Sequence, residues 1–92
     1  MNKSDLINAL KDRAGLSRKE AETVVDTLFG TITETMAANN RVEIRGFGSF
    51  SVKQYKAYTG RNPKTGAQIN VPAKKLPFFK VGKELKDKVD GK

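Results

Sequence analysis

The sequence predicts an α+β fold, with a helical body and a three-stranded sheet that extends into a long β-ribbon arm. Apolar residues recur at helical spacing over the first 40 residues. From residue 41 the pattern changes to strand-like runs separated by turns rich in Gly and Pro. The stretch 53–83 carries basic residues and no Asp or Glu. A long hairpin with one sign of charge is not expected to lie in a core, so an exposed arm is predicted.

The first helix is predicted to begin at Asn2 or Lys3 and to end at Gly15. Asn2 is a good N-cap, and Asp5 lies near the positive end of the helix dipole. Its apolar stripe consists of Leu6, Ile7, Leu10 and Ala14.

The second helix follows a capping box formed by Ser17 and Glu20. It is predicted to run to about Ala38, where Asn39 and Asn40 end it. Its stripe favours an ordinary core over a partner-binding surface, and the two interpretations merge if the core is shared between chains. The stripe consists of Ala21, Val25, Leu28, Phe29, Ile32 and Met36.

Strict alternation over residues 41–45 predicts a half-buried strand. The glycines at 46 and 48 then predict a tight turn, with Phe47 and Phe50 packed inward. A dinucleotide-binding fingerprint is excluded here, because Ser51 stands where the third Gly is required and no βαβ unit surrounds it.

The arm is predicted to rise from Ser51 to Tyr58 and to descend from Gln68 to about Phe79. Pro72 and Pro77 interrupt the descending strand, which predicts an edge strand or a bulge. A short final helix is predicted from the spacing of three apolar residues, Val81, Leu85 and Val89.

Composition argues against catalysis and cofactor chemistry. The chain has no Cys and no His, so neither a thiolate metal site nor the usual proton shuttle is available. An enzyme would have to combine Lys with Asp or Glu, and the acids are scattered over predicted helix surfaces. We therefore predict no catalytic residue, no metal and no cofactor. No secretory signal and no apolar run of about 20 residues is present, so a cytoplasmic or nucleoid location without a membrane is expected.

Charge is confined to one half of the chain. Residues 1–40 carry five basic and six acidic side chains, a net of −1, whereas residues 41–92 carry thirteen and four, a net of +9. The sum is the net charge of +8. This asymmetry predicts a surface that binds nucleic acid. A basic surface kept for solubility and an RNA-binding module are the alternatives.

Size favours self-association. If residues 53–80 form an arm, the single domain of 1–92 keeps a body of 1–52 and 81–92, which is marginal on its own. A symmetric dimer with a shared core would cover the apolar faces and provide two arms. A homodimer is the simpler prediction, and a heterodimer with a paralogous subunit is the alternative.

Three motifs and the start of the chain carry a family resemblance over essentially the whole sequence. They are Asn2-Lys3-Ser4-Asp5-Leu6-Ile7, Gly46-Phe47-Gly48-Ser49-Phe50, Gly60-Arg61-Asn62-Pro63-Lys64-Thr65-Gly66, and Pro77-Phe78-Phe79-Lys80-Val81-Gly82-Lys83-Glu84-Leu85. The chain resembles the bacterial histone-like HU/integration host factor (IHF) family of DNA-binding proteins.

The resemblance implies an intertwined dimer whose β-ribbon arms enter the minor groove of double-stranded DNA and bend it. It implies that Pro63 inserts between base pairs, although a simple turn former is the alternative. Arm contacts are implied at Lys53, Lys56, Tyr58, Arg61, Asn62, Lys64, Thr65, Lys74 and Lys75. Phosphate contacts on the body are implied at Lys3, Arg45, Gly46, Ser49, Lys80, Lys83 and Lys86.

The same resemblance assigns a dimer core to Val25, Leu28, Phe29, Ile32, Met36, Ile44, Phe47, Phe50 and Phe79. Three points stay open. Lys74 and Lys75 suit a solvated pair as well as a DNA contact, and Arg45 suits a cross-strand pair with an acid. Tyr55 and Tyr58 stand where the family often has arginine. The sequence alone does not decide between an HU-type protein with low sequence specificity and an IHF-type subunit.

Overall fold

The computed structural model describes residues 1–91, so the last residue of the predicted body, Lys92, lies outside the described residues. Two helices precede five strands, and a short third helix follows them. The elements are α1 (Lys3–Ala14), α2 (Arg18–Ala37), β1 (Val42–Ile44), β2 (Gly48–Tyr55), β3 (Tyr58–Arg61), β4 (Gln68–Val71), β5 (Lys74–Val81) and α3 (Lys83–Asp90). The predicted α+β class is confirmed.

Both long helices begin with reciprocal capping boxes. The Asp5 amide donates to Asn2 Oδ1 at 2.9 Å, and the Asn2 amide donates to Asp5 Oδ2 at 3.0 Å. The sequence predicted the cap at Asn2 but not the return bond from Asp5. The predicted box at Ser17 and Glu20 is confirmed, with bonds of 2.9 and 3.1 Å. These bonds satisfy amides that have no partner inside the helix.

The helix ends also follow the sequence. Gly15 adopts the left-handed conformation with φ 65° and closes α1. Asn39, two residues after the end of α2, takes φ 63°, which is a conformation that Asn tolerates better than most side chains. The prediction that Asn39 and Asn40 end the second helix is confirmed to within a residue.

The strands form two antiparallel ladders in series. β1, β2 and β5 make a three-stranded sheet in the order β1-β2-β5, and β3 pairs with β4 further out. The ladder breaks between the pairs Tyr55↔Lys74 and Tyr58↔Val71. Pro72 lies in this break, as the sequence predicted. Pro77 stays within β5, which is the edge strand that its missing amide hydrogen requires.

The interior of the single chain is small. The residues that are at least nine-tenths buried and apolar are Ile7, Ala21, Val25 and Ile32. Three of them form a cluster between α1 and α2, covered by Leu6, Leu10 and Leu16. Val25, assigned above to a dimer core, therefore lies mainly in the chain's own helix pair.

Ile32, also assigned to the dimer core, is likewise buried in the single chain. The other seven members are open to solvent. Met36 and Phe50 are half-buried. The remaining five are between 37% and 52% exposed, namely Leu28, Phe29, Ile44, Phe47 and Phe79. The expectation that Phe47 packs inward is wrong for one chain alone, because Phe47 is 45% exposed even though its ring lies 5.7 Å from that of Phe79. Apolar faces of this extent suit a second chain.

The molecule is elongated. Its radius of gyration is 19.0 Å, whereas a compact domain of this length has a radius of about 12 Å. The difference reflects the ribbon that projects beyond the helices. Within residues 1–91, no helix has both the length and the apolar character needed to cross a membrane.

Candidate nucleic-acid interface

The tip of the arm is a loop of residues 62–67 that is held by its own hydrogen bonds. The Asn62 amide donates to the Ala67 carbonyl at 2.9 Å, and the Gly66 amide donates to the Asn62 carbonyl at 2.7 Å. The Asn62 side chain accepts from the Lys64 amide at 2.9 Å, and Thr65 Oγ1 accepts from the Ala67 amide at 3.3 Å. These bonds close the loop around Pro63.

Pro63 lies exposed at this tip. Its ring is apolar and it has no amide hydrogen to lose on contact with bases. Lys64 is exposed beside it, and Arg61 ends the strand that leads to it. The structure therefore places Pro63, the residue predicted to insert between base pairs, close to the predicted cations Arg61 and Lys64. Asn62 and Thr65, which were predicted as DNA contacts, have side chains already bonded within the loop.

The outer hairpin has two chemically different faces, because cross-strand partners share a face and successive residues alternate. One face is polar and carries Thr59, Arg61, Gln68 and Asn70. The other is apolar and carries Tyr58, Ile69 and Val71. Tyr58, predicted as an arm contact, lies on the opposite face from Arg61. A DNA duplex that contacts Arg61 would therefore lie against the polar face of the outer hairpin.

The inner ladder separates its lysines in the same way. Ser49 pairs with Lys80, Lys53 with Leu76 and Tyr55 with Lys74, and these residues share the outer face of the sheet. On the other face Phe50 pairs with Phe79 and Val52 with Pro77, towards α2. The outer face thus presents Lys53, Lys74 and Lys80 together, as an interface for phosphates requires.

An aromatic residue lies among these cations, and the sequence reasoning did not assign it to the site. Phe78 pairs with Ser51 on the outer face and is 38% exposed. The Lys53 ammonium sits 3.8 Å above the centre of its ring, within the range of a cation–π contact. Strand alternation counted back from Lys80 was the signal that could have placed Phe78 on this face.

Lys75, predicted as an arm contact, is bonded to the body in this structure. It lies on the face opposite to Lys74, and its ammonium donates to the Ala37 carbonyl and to Asn39 Oδ1, both at 3.1 Å. The side chain therefore points to the end of α2 and not to the outer face of the sheet. Lys56 lies in the ladder break and is exposed.

The turn at residues 46–48 joins the sheet to α3. The Gly82 amide donates to the Phe47 carbonyl at 2.8 Å, and the Leu85 amide donates to the Gly46 carbonyl at 3.1 Å. Gly46 has φ 83°, and a Cβ there would lie 2.6 Å from the Glu84 carboxylate. Only Gly fits this position without a shift. Gly46 was predicted as a phosphate contact. In the structure it also has a structural role, because its carbonyl accepts a bond from the start of α3.

Two of the cations predicted as phosphate contacts of the body, Lys3 and Lys83, have acidic partners. Lys3 Nζ lies 2.6 Å from Asp26 Oδ1, and this hydrogen bond and the carboxylate charge raise the pKa of Lys3. Lys83 Nζ lies 3.0 Å from Asp87 Oδ2, with 89% of the lysine side chain exposed. Glu43, an acid near Arg45 in the chain, pairs with Arg41 at 3.3 Å. Arg45 and Lys86 are exposed. A phosphate near Lys3 would compete with Asp26.

The sequence has many relatives. Residues 1–90 match the profile of the family described as Bacterial DNA-binding protein. The chain is 49% identical over 89 residues to the DNA-binding protein HU of Staphylococcus aureus (strain COL), covering 97% of this chain and 99% of that protein. It is 48% identical over the same length and with the same coverage to the DNA-binding protein HU of Geobacillus stearothermophilus.

Solved structures agree with these matches. The Anabaena HU–DNA cocrystal structure superposes with a TM-score of 0.88 at 37% identity, over the whole of both chains. HU from Thermotoga maritima superposes with a TM-score of 0.70 at 36% identity, over 97% of this chain and 98% of that one. Since the family match spans nearly the entire sequence and the relatives are close to half identical, the chain belongs to the family of bacterial DNA-binding proteins that includes HU.

Proposed function

We propose that the protein is an HU-type architectural DNA-binding protein that binds duplex DNA with low sequence specificity, and that bends, wraps and compacts it. The observation that carries this proposal is the arm, a ribbon that presents Lys53, Lys74 and Lys80 on its outer face and has an exposed proline at a closed tip. The Anabaena relative was crystallised with DNA. Family membership supports a binding function and not an enzymatic one.

Affinity and bending would come from different residues. Each phosphate that a lysine or arginine neutralises releases counterions, so the outer-face cations supply most of the sequence-independent affinity. The inserted ring of Pro63 would unstack a base step, which costs a few kcal/mol that the wrapped contacts recover. The minor groove is the expected site, as the resemblance to the HU/IHF family implies.

The active species would be a homodimer. Leu28, Phe29 and Phe47 are about half exposed in one chain, and a partner would cover them. Two arms would then reach the same duplex from opposite sides of the body. A nucleoid-associated location in a bacterial cell follows from this function.

The test compares wild-type protein with Pro63→Ala and Lys64→Ala. Pro63→Ala keeps every charge and the hydrogen bonds of the tip, so affinity for plain duplex should fall only modestly. The bend at saturation, measured by energy transfer between the labelled ends of a duplex, should fall strongly, together with the preference for nicked duplex. Lys64→Ala should instead weaken binding and keep the bend. The slope of log affinity against log salt should become smaller by about 1.

The proposal of bending by insertion is overturned if Pro63→Ala and wild type bend saturated DNA equally. Selection from a random duplex pool addresses specificity. Enrichment of a defined consensus would favour an IHF-type subunit. Stronger binding to structured RNA than to duplex DNA in direct competition would favour an RNA-binding module.

A further inference from the structure

We infer that Lys75 is a positioning residue that fixes the base of the arm to the C-terminal end of α2, and so sets the direction in which the arm leaves the body. This inference rests on the proposed function for its consequence on DNA, but its structural part stands without DNA. It separates Lys75 from its neighbour Lys74, which keeps the role of a phosphate contact.

The end of α2 is short of cations. Its last turn contains no basic residue of its own, and the last carbonyls of a helix carry partial negative charge without a partner inside the helix. Lys75, which lies in β5, supplies the positive charge that the helix end lacks. Its ammonium donates at 3.1 Å to the carbonyl of Ala37, the last residue of α2. The contact therefore acts as a helix cap that comes from a strand of the arm.

A second bond fixes the geometry. The same ammonium donates at 3.1 Å to Asn39 Oδ1, and Asn39 holds the left-handed conformation that turns the chain away from α2. The ammonium is thus bonded to two acceptors at the end of α2. Lys75 also lines the groove between α2 and β5, together with Met36, Val52 and Pro77.

The strand register places this contact at the base of the arm. Lys75 pairs with Gln54, one pair before the inner ladder between β2 and β5 ends at Tyr55↔Lys74. Beyond that point the ladder is broken before β3 and β4 resume. Lys75 is thus bonded to the helical body close to the joint from which the outer hairpin departs. An arm released here would have more directions available, and a duplex would have to select one of them.

The first part of the test needs no DNA. Lys75→Met keeps the apolar stem and removes the ammonium, Lys75→Arg keeps the charge, and Lys74→Met makes the same change on the opposite face. Lys75→Met should lower the urea midpoint at equal protein concentration, whereas Lys74→Met should not. Asn39→Gly keeps the left-handed backbone and removes one acceptor, so the losses from Asn39→Gly and Lys75→Met should be less than additive in the double variant.

Arm direction is measured on the same variants. The chain has no Cys, so Asp12→Cys on the body and Ala67→Cys at the tip accept a pair of spin labels, diluted into unlabelled protein. The label distance should broaden or shift in Lys75→Met, and it should be that of the wild type in Lys74→Met and close to it in Lys75→Arg.

DNA binding completes the test. Lys74→Met should reduce the salt slope by about 1, while Lys75→Met should leave the slope unchanged and reduce the bend at saturation. The inference is overturned if Lys75→Met reduces the salt slope by about 1 at unchanged stability, since Lys75 is then a phosphate contact. It is also overturned if Lys75→Met is destabilised with an unchanged label distance, since the contact is then a helix cap only. Loss of DNA binding by the wild type would refute the proposed function and leave the label distances to decide the role of Lys75.

Discussion

The most direct test of a shared core compares two apolar side chains that are equally exposed in one chain but expected to differ in the assembly. Leu28 on α2 is 52% exposed, and Ile69 on β4 is 45% exposed. Leu28 belongs to the apolar face that a partner would cover. Ile69 lies on the outer hairpin, away from the body. Replacing each by Ala removes a similar apolar side chain from a similar starting environment.

The expected magnitudes differ. Full burial of a Leu or Ile side chain is worth about 1.5–3 kcal/mol, so a half-exposed one contributes about 1 kcal/mol. In a single chain, Leu28→Ala and Ile69→Ala should therefore cost about the same. In a closed core, Leu→Ala costs about 2–5 kcal/mol. With two copies per dimer, Leu28→Ala should destabilise the dimer by about 4–10 kcal/mol, and Ile69→Ala by about 2 kcal/mol.

Urea unfolding over a range of protein concentrations measures both quantities. If folding and association are linked, each tenfold dilution lowers the free energy of unfolding per dimer by about 1.4 kcal/mol, for the wild type and for both variants. Equal costs for Leu28→Ala and Ile69→Ala, with a midpoint that does not move on dilution and a monomer mass in solution, would refute the shared core.

Three further predictions concern single residues. Lys83→Ala should weaken binding to all duplexes alike and reduce the slope of log affinity against log salt by about 1, as measured by titration at several salt concentrations; an unchanged slope would remove Lys83 from the phosphate contacts. Asn62→Ala removes the acceptor for the Lys64 amide but no charge, so energy transfer should report a smaller bend at an unchanged salt slope, and a smaller slope would instead show a direct contact. The Ser17 amide and hydroxyl hold the pKa of Glu20 below its ordinary value of 4.5. Glu20 therefore stabilises the fold above that pH and loses its contribution as the pH falls through the folded-state pKa, so Glu20→Ala should be less stable than wild type at pH 7 and equal to it in strong acid; a pH-independent difference in urea midpoint would contradict this.

Local signals in the sequence were enough for the two long helices and for the strands that follow them. They did not predict that the rising strand expected over residues 51–58 is interrupted after Tyr55, or that Val81, expected in the last helix, ends β5. Capping residues at Asn2 and Ser17, the left-handed positions at Gly15 and Asn39, and the break at Pro72 all act over a few residues of backbone, so they can be read without a structure. The class of the fold and the exposed, basic arm followed from these signals together with charge.

Contacts between distant residues could not be read in this way. Lys75 was grouped with Lys74 because the two are adjacent and identical, whereas its partner Asn39 is 36 positions away in the chain. Alternation along β5 places adjacent side chains on opposite faces of the sheet, so Lys74 and Lys75 cannot both lie on the outer face. Which lysine faces α2 depends on the register with β2, and that register is a property of the folded sheet.

The polar side chains at the tip of the arm stabilise the loop itself through hydrogen bonds to its backbone. The outer hairpin has four residue pairs and no apolar layer on either side that is closed by the chain itself. A two-stranded hairpin of this kind is marginally stable in water. Asn62 and Thr65 compensate by accepting backbone amides within the loop, which holds Pro63 at the apex before DNA arrives. Because ordering a loop on binding would cost free energy, a tip that is already closed would leave more of the proposed phosphate attraction from Arg61 and Lys64 available to deform a duplex. The motif from 60 to 66 thus combines side chains that fold the loop with the exposed Pro63 and Lys64 that we propose to contact DNA.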